Sequence, residues 1–121
     1  TQNIVEIIGL SIEGGNANQA GGGGISNHET LTVTQTRIMG NKASRGGGMD
    51  NEGILTVNGS QISGNAAAFG GGINNGPQGQ VQLFTTTVSE NTALGGGLNF
   101  FFGKQTPLPP LAKILCSRLS V

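Results

Sequence analysis

The chain has 121 residues, among them 23 glycines, six acidic and six basic side chains, and its formal net charge is zero. This length provides one domain with a small core, and the balanced charge provides no field that would attract nucleic acid or an anionic membrane surface. Because Cys116 is the only cysteine, an internal disulfide bond and a cysteine-based zinc cage are excluded.

The first elements of the chain belong to a sequence repeat. Residues 5–15 read VEIIGLSIEGG and form a weak first copy. Residues 31–41 read LTVTQTRIMGN, and residues 55–65 match them with LTVNGSQISGN. A further copy, VQLFTTTVSEN, occupies residues 81–91. Repetition of this kind, with a period of about 20 to 50 residues, is typical of proteins built from stacked repeats.

Three consecutive glycines follow each copy, and the triplets recur at intervals of 24 or 25 residues. Glycine adopts positive φ at little cost and lets two backbones approach closely. We therefore predict that each triplet forms a tight corner between two strands, with successive corners stacked on one another. The triplets are Gly22, Gly23 and Gly24; Gly46, Gly47 and Gly48; Gly70, Gly71 and Gly72; and Gly95, Gly96 and Gly97.

Apolar and polar residues alternate within each copy. In the second copy Leu31, Val33 and Ile38 are separated by polar residues, and one aliphatic residue follows each glycine triplet. This pattern predicts about three short strands per repeat, none of which can bury its apolar face alone. We therefore predict an all-β fold, a parallel β-solenoid of about four coils, in which equivalent strands pair about 4.8 Å apart.

Asparagine recurs at two positions of the repeat. Asparagine tolerates left-handed turn conformations, and identical amides that stack can form hydrogen-bonded ladders. We predict such ladders along the solenoid. One row, at the end of the second strand, contains Asn41, Asn65 and Asn91. The other row, after the third strand, contains Asn27, Asn51 and Asn75.

These motifs carry a family resemblance. The sequence GGGI or GGGM with asparagine two positions later, then LTV, then ISGN or IMGN, resembles the repeats of bacterial surface proteins, including polymorphic outer-membrane protein repeats. The resemblance covers residues 4–99. It implies a right-handed parallel β-helix in a secreted or surface-displayed protein, where such coils form an adhesin-like stalk. In the fourth repeat Phe100 stands where the pattern expects asparagine.

The last part of the chain differs in composition. We divide the chain into β-helix repeats over residues 1–103 and a tail over residues 104–121, which contains basic but no acidic residues. Either the tail forms a helix that caps the open end of the solenoid, or it is loosely ordered. The helix would begin at the prolines in positions 109 and 110 and present an apolar stripe of Leu111, Ile114, Leu115 and Leu119.

The N-terminal end has no comparable cover. We expect further coils before Thr1 in a longer protein, and end-to-end association of isolated copies, because an uncovered coil exposes unpaired strand edges. No apolar run is long enough to span a bilayer, so no direct membrane span is predicted.

No catalytic, cofactor-binding or metal site is predicted. Only Asp50 and Glu52 are close neighbours among the acidic residues, and we expect both at a solvated corner. The sole histidine, His28, is expected in an exposed turn. The calcium cluster of a polysaccharide lyase needs several acidic groups together, and this chain does not supply them. The glycine triplets also lack the lysine and hydroxyl residue of a phosphate-binding loop.

The sequence therefore favours a non-catalytic structural or adhesive segment of a secreted or cell-surface protein, with host or cell-surface glycans or proteins as partners. Phe69 and Phe84 are the aromatic residues of the coils that could contact a glycan.

Two alternatives stay open. One is a truncated or inactive carbohydrate-active β-helix similar to pectate lyases. The other is ice binding through stacked threonines, for which Thr32, Thr34 and Thr56 are suitably spaced, although Gln82 and Phe84 interrupt the array.

Overall fold

The computed structural model describes residues 3–93, 100–102 and 114–116, with side chains over residues 3–93. It is an all-β parallel solenoid, which confirms the predicted fold class. The described residues make about three full turns followed by a partial fourth, slightly fewer than the four coils expected. They contain no helix, so none that could cross a membrane is found among them.

Each full turn contains four strands, one more than predicted. The first turn comprises β1 (Ile4–Ile8), β2 (Ser11–Glu13), β3 (Asn16–Gly21) and β4 (Ile25–Asn27). The second comprises β5 (Thr30–Thr34), β6 (Arg37–Met39), β7 (Lys42–Arg45) and β8 (Met49–Asn51). The third comprises β9 (Ile54–Asn58), β10 (Gln61–Ser63), β11 (Ala66–Phe69) and β12 (Ile73–Asn75). The remaining strands are β13 (Gln80–Phe84), β14 (Thr86–Ser89), β15 (Thr92–Ala93), β16 (Phe100–Phe102) and β17 (Ile114–Cys116).

The unpredicted strand is the third of each turn. Its sequences, such as KASR in β7 and AAAF in β11, carry alanine and polar residues instead of large aliphatic ones. Short strands of small residues lack the alternation of large apolar and polar residues that identifies a half-buried strand. As a consequence, the Asn27 row ends the fourth strand of each turn, and the Asn41 row lies between the second and third strands.

Equivalent strands pair in parallel and form four sheets along the solenoid. The first sheet has the order β1-β5-β9-β13 and the second has β2-β6-β10-β14-β17. The third has the order β3-β7-β11-β15, and the fourth has β4-β8-β12-β16. Register places like residues together, as in the pairs Leu31 with Leu55 and Ile38 with Ile62. The solenoid therefore stacks similar side chains in continuous rows.

These rows form one narrow interior core. In the second and third turns the first sheet contributes Leu31, Val33, Leu55 and Val57, which are all buried. The fully buried aliphatic residues of the other sheets pack against them in the same cluster, namely Ile38, Ile62, Val88, Met49 and Ile73. Each turn alone has too few apolar residues for a core, so stacking of the turns creates it.

Two insertions of two residues disturb the 24-residue period without disturbing the stack. The first lies in β3, where the register with β7 shifts between Ala17 and Gly21. The second forms the turn from Gly76 to Gly79, which is closed by a hydrogen bond from Gly79 N–H to the Gly76 carbonyl at 3.0 Å. The extra residues project from the solenoid because paired strands on both sides keep their partners.

Corners of the solenoid use left-handed backbone conformations. Thr85 has φ of 50° at a corner where Gly59 has φ of 54° in the preceding turn. A β-branched residue is strained in this region, at a cost of roughly 1 to 2 kcal/mol. The remaining non-glycine residues with positive φ among the described residues are Gln35 and Glu90, both also at corners. Parallel pairing of the adjoining strands therefore holds these non-glycine residues in a backbone conformation that glycine adopts without strain.

The two ends of the described solenoid differ. At the N-terminal end the apolar side chains of Ile4, Val5, Ile8 and Leu10 are exposed. At the other end β17 pairs in parallel with β14, so Ile114–Cys116 form a strand within the tail, for which a helical cap was one of two alternatives. Open strand edges favour such pairing. The rest of the predicted cap lies outside the described residues.

The fourth-turn register also differs from the prediction. Phe102, not Phe100, pairs with Asn75, and Phe100 pairs with Ile73. The prediction assumed a constant distance from the glycine triplet to the following strand, whereas backbone pairing sets the register in the structure. Residues 95–97, the fourth triplet, lie outside the described residues.

Candidate functional site

The first three glycine triplets lie at the corner between the third and fourth strands of each turn. Gly23 N–H donates to the Gly46 carbonyl at 3.2 Å, and Gly47 N–H donates to the Gly70 carbonyl at 3.2 Å. The last glycines of the triplets also stack, since Gly24 N–H donates to the Gly48 carbonyl at 3.0 Å. The backbones of the triplets therefore hydrogen-bond directly to one another, and the triplets join successive turns of the solenoid.

The Asn41, Asn65 and Asn91 side chains are buried and form a continuous ladder. Asn41 Nδ2 donates to Asn65 Oδ1 at 3.0 Å, and Asn65 Nδ2 donates to Asn91 Oδ1 at 3.0 Å. Each Oδ1 also accepts the backbone N–H of the asparagine one turn before, at 3.0 Å in both pairs. The amides thus satisfy backbone groups that the corner leaves without strand partners.

The Asn27, Asn51 and Asn75 side chains form a second buried ladder. Asn27 Nδ2 donates to Asn51 Oδ1 at 2.7 Å, and Asn51 Nδ2 donates to Asn75 Oδ1 at 2.9 Å. Asn51 Nδ2 also donates to the Gly53 carbonyl of the following corner at 2.9 Å, and Asn75 Nδ2 donates to the Gly79 carbonyl at 3.0 Å. The polar atoms of these asparagines are therefore engaged within the solenoid.

A third polar row was missed by the sequence analysis. Thr36, Ser60 and Thr86 are buried at the corner between the first and second strands. The Ser60 hydroxyl accepts the Thr36 backbone N–H at 3.1 Å and donates to the Asn58 carbonyl at 2.9 Å. Because both threonine and serine occur in this row, no repeated residue signals it, although a hydroxyl group occupies the same position in the second, third and fourth turns.

Other residues considered from the sequence lie apart from one another. His28 is exposed in the turn between β4 and β5. Thr32 pairs with Thr56, and the row continues to Glu6 on one side and Gln82 on the other, so the threonine array is as short as expected. Within the described residues, no group of three or more histidine, cysteine or acidic side chains is arranged to hold a metal ion.

Asp50 is buried, and the prediction that it lies at a solvated corner is wrong. Its side chain is 3% exposed in the fourth sheet. Asn74 Nδ2 donates to Asp50 Oδ1 at 2.7 Å, and Arg45 Nη2 donates to Asp50 Oδ2 at 3.5 Å. A Cβ built on Gly21 would overlap the Asp50 carboxylate, so this glycine leaves the space that the carboxylate occupies.

A cleft opens beside this buried carboxylate. Its volume is about 520 Å³, and it is lined by Arg45, Glu52, Phe69, Asn74 and Pro77. Arg45 and Phe69 pair across β7 and β11, and their side chains are 50% and 52% exposed. The cleft therefore combines an exposed aromatic ring, a guanidinium group and a carboxylate. We name it the Arg45–Phe69 cleft.

The local sequence explains where the cleft forms. The inserted turn from Gly76 to Gly79 projects from the solenoid and carries Pro77 to one side of the cleft. Glu52 lies against Gly76, since a Cβ on this glycine would overlap the Glu52 carboxylate. Glycine at this position therefore gives the carboxylate its place in the cleft.

Other depressions on the described surface have less varied chemistry. A groove of about 600 Å³ runs along the third sheet and is lined mainly by alanine, serine and asparagine with Lys42. Another groove of about 360 Å³ follows the corner between the first two strands, with Arg37 as its only charged residue. Neither contains an aromatic or an acidic side chain. A depression of about 350 Å³ at the N-terminal end contains His28 and Glu29, but no guanidinium group and no phenylalanine. The Arg45–Phe69 cleft is therefore the candidate functional site.

Replacing Asp50 with alanine tests the polar group behind the cleft. We expect a loss of about 1 to 3 kcal/mol in the free energy of unfolding, because the buried Asn74 amide loses its acceptor. Glu52→Ala is the matched control, with an expected change within about 0.5 kcal/mol, because its carboxylate is only partly buried and forms no hydrogen bond within the described residues. Urea unfolding followed by circular dichroism measures both, and equal losses would contradict this account.

Glycine corners and asparagine ladders account for the stacking of the turns. Gly21, Gly76 and the inserted turn account for the position of the cleft. The chain matches no protein-family model, no curated protein and no solved structure.

Proposed function

We propose that this chain is a non-catalytic, structural and adhesive β-helical segment of a secreted or cell-surface protein. The observation that carries the proposal is the use of the repeated polar residues. Both asparagine ladders are bonded within the solenoid, so the repeat builds a rigid scaffold instead of a reactive surface. The Arg45–Phe69 cleft offers exposed groups for contact with a partner.

The resemblance to polymorphic outer-membrane protein repeats supports surface display. Surface proteins of this kind use stacked coils as a stalk, and a solenoid with parallel sheets on all sides suits that purpose because its length grows with the number of turns. The partners proposed are glycans or proteins of a host or neighbouring cell.

Two measurements test this function. First, an antibody against the purified chain should label intact cells that produce the parent protein, and brief protease treatment of these cells should remove the label. Second, beads coated with the chain should bind to cells or to extracellular matrix more strongly than beads coated with heat-denatured chain. Label that appears only after the cells are permeabilised would refute surface display.

A turnover assay tests the non-catalytic part of the proposal. The purified chain should release no new reducing ends from a panel of plant and animal polysaccharides, with or without added calcium. Release of reducing ends that Asp50→Asn or Glu52→Gln abolishes would favour a carbohydrate-active β-helix instead.

A further inference from the structure

We propose that the Arg45–Phe69 cleft binds a neutral saccharide of one or two sugar rings. This inference deepens the proposed adhesive function and rests on it.

Phe69 supplies the apolar contact. Its side chain is 52% exposed although it is a large hydrophobic residue in a strand. Water-exposed aromatic surface is stabilised by contact with another apolar surface. The C–H groups on one face of a pyranose ring form such a surface, while the hydroxyl groups project around its edge. A sugar stacked on Phe69 therefore leaves its hydroxyls facing the cleft walls.

The walls carry both hydrogen-bond donors and acceptors. The Arg45 guanidinium has five N–H donors, and its contact with Asp50 engages one nitrogen at 3.5 Å. Within the described residues the Glu52 carboxylate forms no hydrogen bond or ion pair, and it can accept from two hydroxyls. Sugar hydroxyls both donate and accept, so a saccharide can use both walls.

Charge favours a neutral ligand over an ion. An anionic ligand would be attracted by Arg45 but repelled by Glu52 and by Asp50 behind it, and a cationic ligand would be repelled by Arg45. A volume of about 520 Å³ lies within the range of small-molecule pockets. A stable protein interface would instead need about 800 Å² on each partner, far more than this cleft offers.

Part of the cleft wall is connected before a ligand binds. Asp50 accepts hydrogen bonds from both Arg45 and Asn74, and Gly76 leaves room for the Glu52 carboxylate. Arg45, Asp50 and Phe69 lie on strands of the solenoid, so little backbone ordering is lost on binding. A modest number of contacts can therefore yield useful affinity when several copies act together.

The test uses biotinylated chain assembled on streptavidin and applied to an array of neutral hexose and N-acetylhexosamine oligosaccharides, with sulfated and sialylated oligosaccharides on the same array. We expect binding to a subset of the neutral glycans that changes less than twofold between 50 and 500 mM NaCl, because no net ion pairing is involved. Phe69→Ala should weaken this binding about tenfold or more.

Two further variants make the result specific. Glu52→Gln keeps the shape of the side chain and one of its two carboxylate oxygens, and it should weaken binding about threefold to tenfold. Phe84→Ala removes a partly buried phenylalanine of the first sheet and should leave binding unchanged. Thermal unfolding followed by circular dichroism verifies that each variant is folded.

Absence of binding to every neutral glycan, binding to sulfated or sialylated glycans only, or equal losses in Phe69→Ala and Phe84→Ala would overturn the proposal. The proposed adhesive function is judged separately by the bead assay. If Phe69→Ala beads adhere as well as wild-type beads, the cleft is not the adhesive site, while adhesion by another face stands.

Discussion

Replacing Gly47 with alanine is expected to lower the free energy of unfolding by about 3 kcal/mol or more, because the added methyl group overlaps the backbone of the next turn. A Cβ at this position would overlap the carbonyl oxygens of Ala66 and Gly71. These atoms belong to paired strands and a stacked corner, so they cannot move aside without breaking hydrogen bonds between turns.

Gly64→Ala is the matched control for this prediction. Gly64 has φ of 64°, but the nearest atom to a Cβ there is Gly40 N at 3.9 Å. Its substitution should cost about 1 kcal/mol, from backbone conformation alone. Gly47 does not have positive φ, so the loss of stability in Gly47→Ala measures the close approach of the turns.

Urea unfolding followed by far-ultraviolet circular dichroism measures both variants, since the chain has no tryptophan or tyrosine for fluorescence. Gly47→Ala should shift the midpoint at least twice as far as Gly64→Ala. If the two shifts are equal, the triplets are explained by backbone conformation, and the explanation by close packing fails.

Replacing Asn65 with alanine is expected to cost on the order of 3 to 5 kcal/mol, since at least two buried donors lose their acceptor. The backbone N–H and Nδ2 of Asn41 both donate to Asn65 Oδ1 at 3.0 Å. The Ile38 carbonyl also loses the donor that Asn65 Nδ2 provides at 2.9 Å. These groups are buried or partly buried in the corner, where water replaces the amide poorly.

Asn58→Ala is the control, because Asn58 lies on the outer face of β9 and its side chain forms no hydrogen bond within the described residues. Its expected effect is within about 0.5 kcal/mol. The same urea experiment compares the free energies of unfolding of the two variants, which are expected to depend equally steeply on urea concentration. A small effect of Asn65→Ala would mean that the ladder accompanies the stacking of the turns without stabilising it.

The repeats made the solenoid predictable from the sequence because stacking favours similar residues at the buried and corner positions of successive turns. Glycine triplets and asparagines identify corners, and rows such as Leu31 with Leu55 identify the interior. The alanine strands escaped prediction because their residues are small. The row of hydroxyl residues was not predicted because Thr36 and Ser60 are different residue types, although both carry a hydroxyl group at the same position of the turn.

The candidate cleft was only partly predictable. Phe69 was recognised as a possible contact for a glycan, but nothing near Asp50 in the sequence indicates that its side chain is buried. That burial depends on Gly21 in the preceding turn and on Asn74 in the following one. The contacts of a site assembled from three successive turns depend on the register of the strands. Two-residue insertions change this register, so equivalent residues cannot be found by counting 24 positions along the sequence.

The asparagine ladders also give the solenoid a direction. In both rows the amide of one turn donates to the amide of the turn that follows it, as Asn27 does to Asn51 and Asn41 does to Asn65. Duplication of a 24-residue unit would place a new amide between two existing ones. The new amide would accept from the turn before it and donate to the turn after it, so every amide in the row would again have a partner. Whole turns can therefore be added to or removed from the interior of the stack without leaving a ladder amide unpaired.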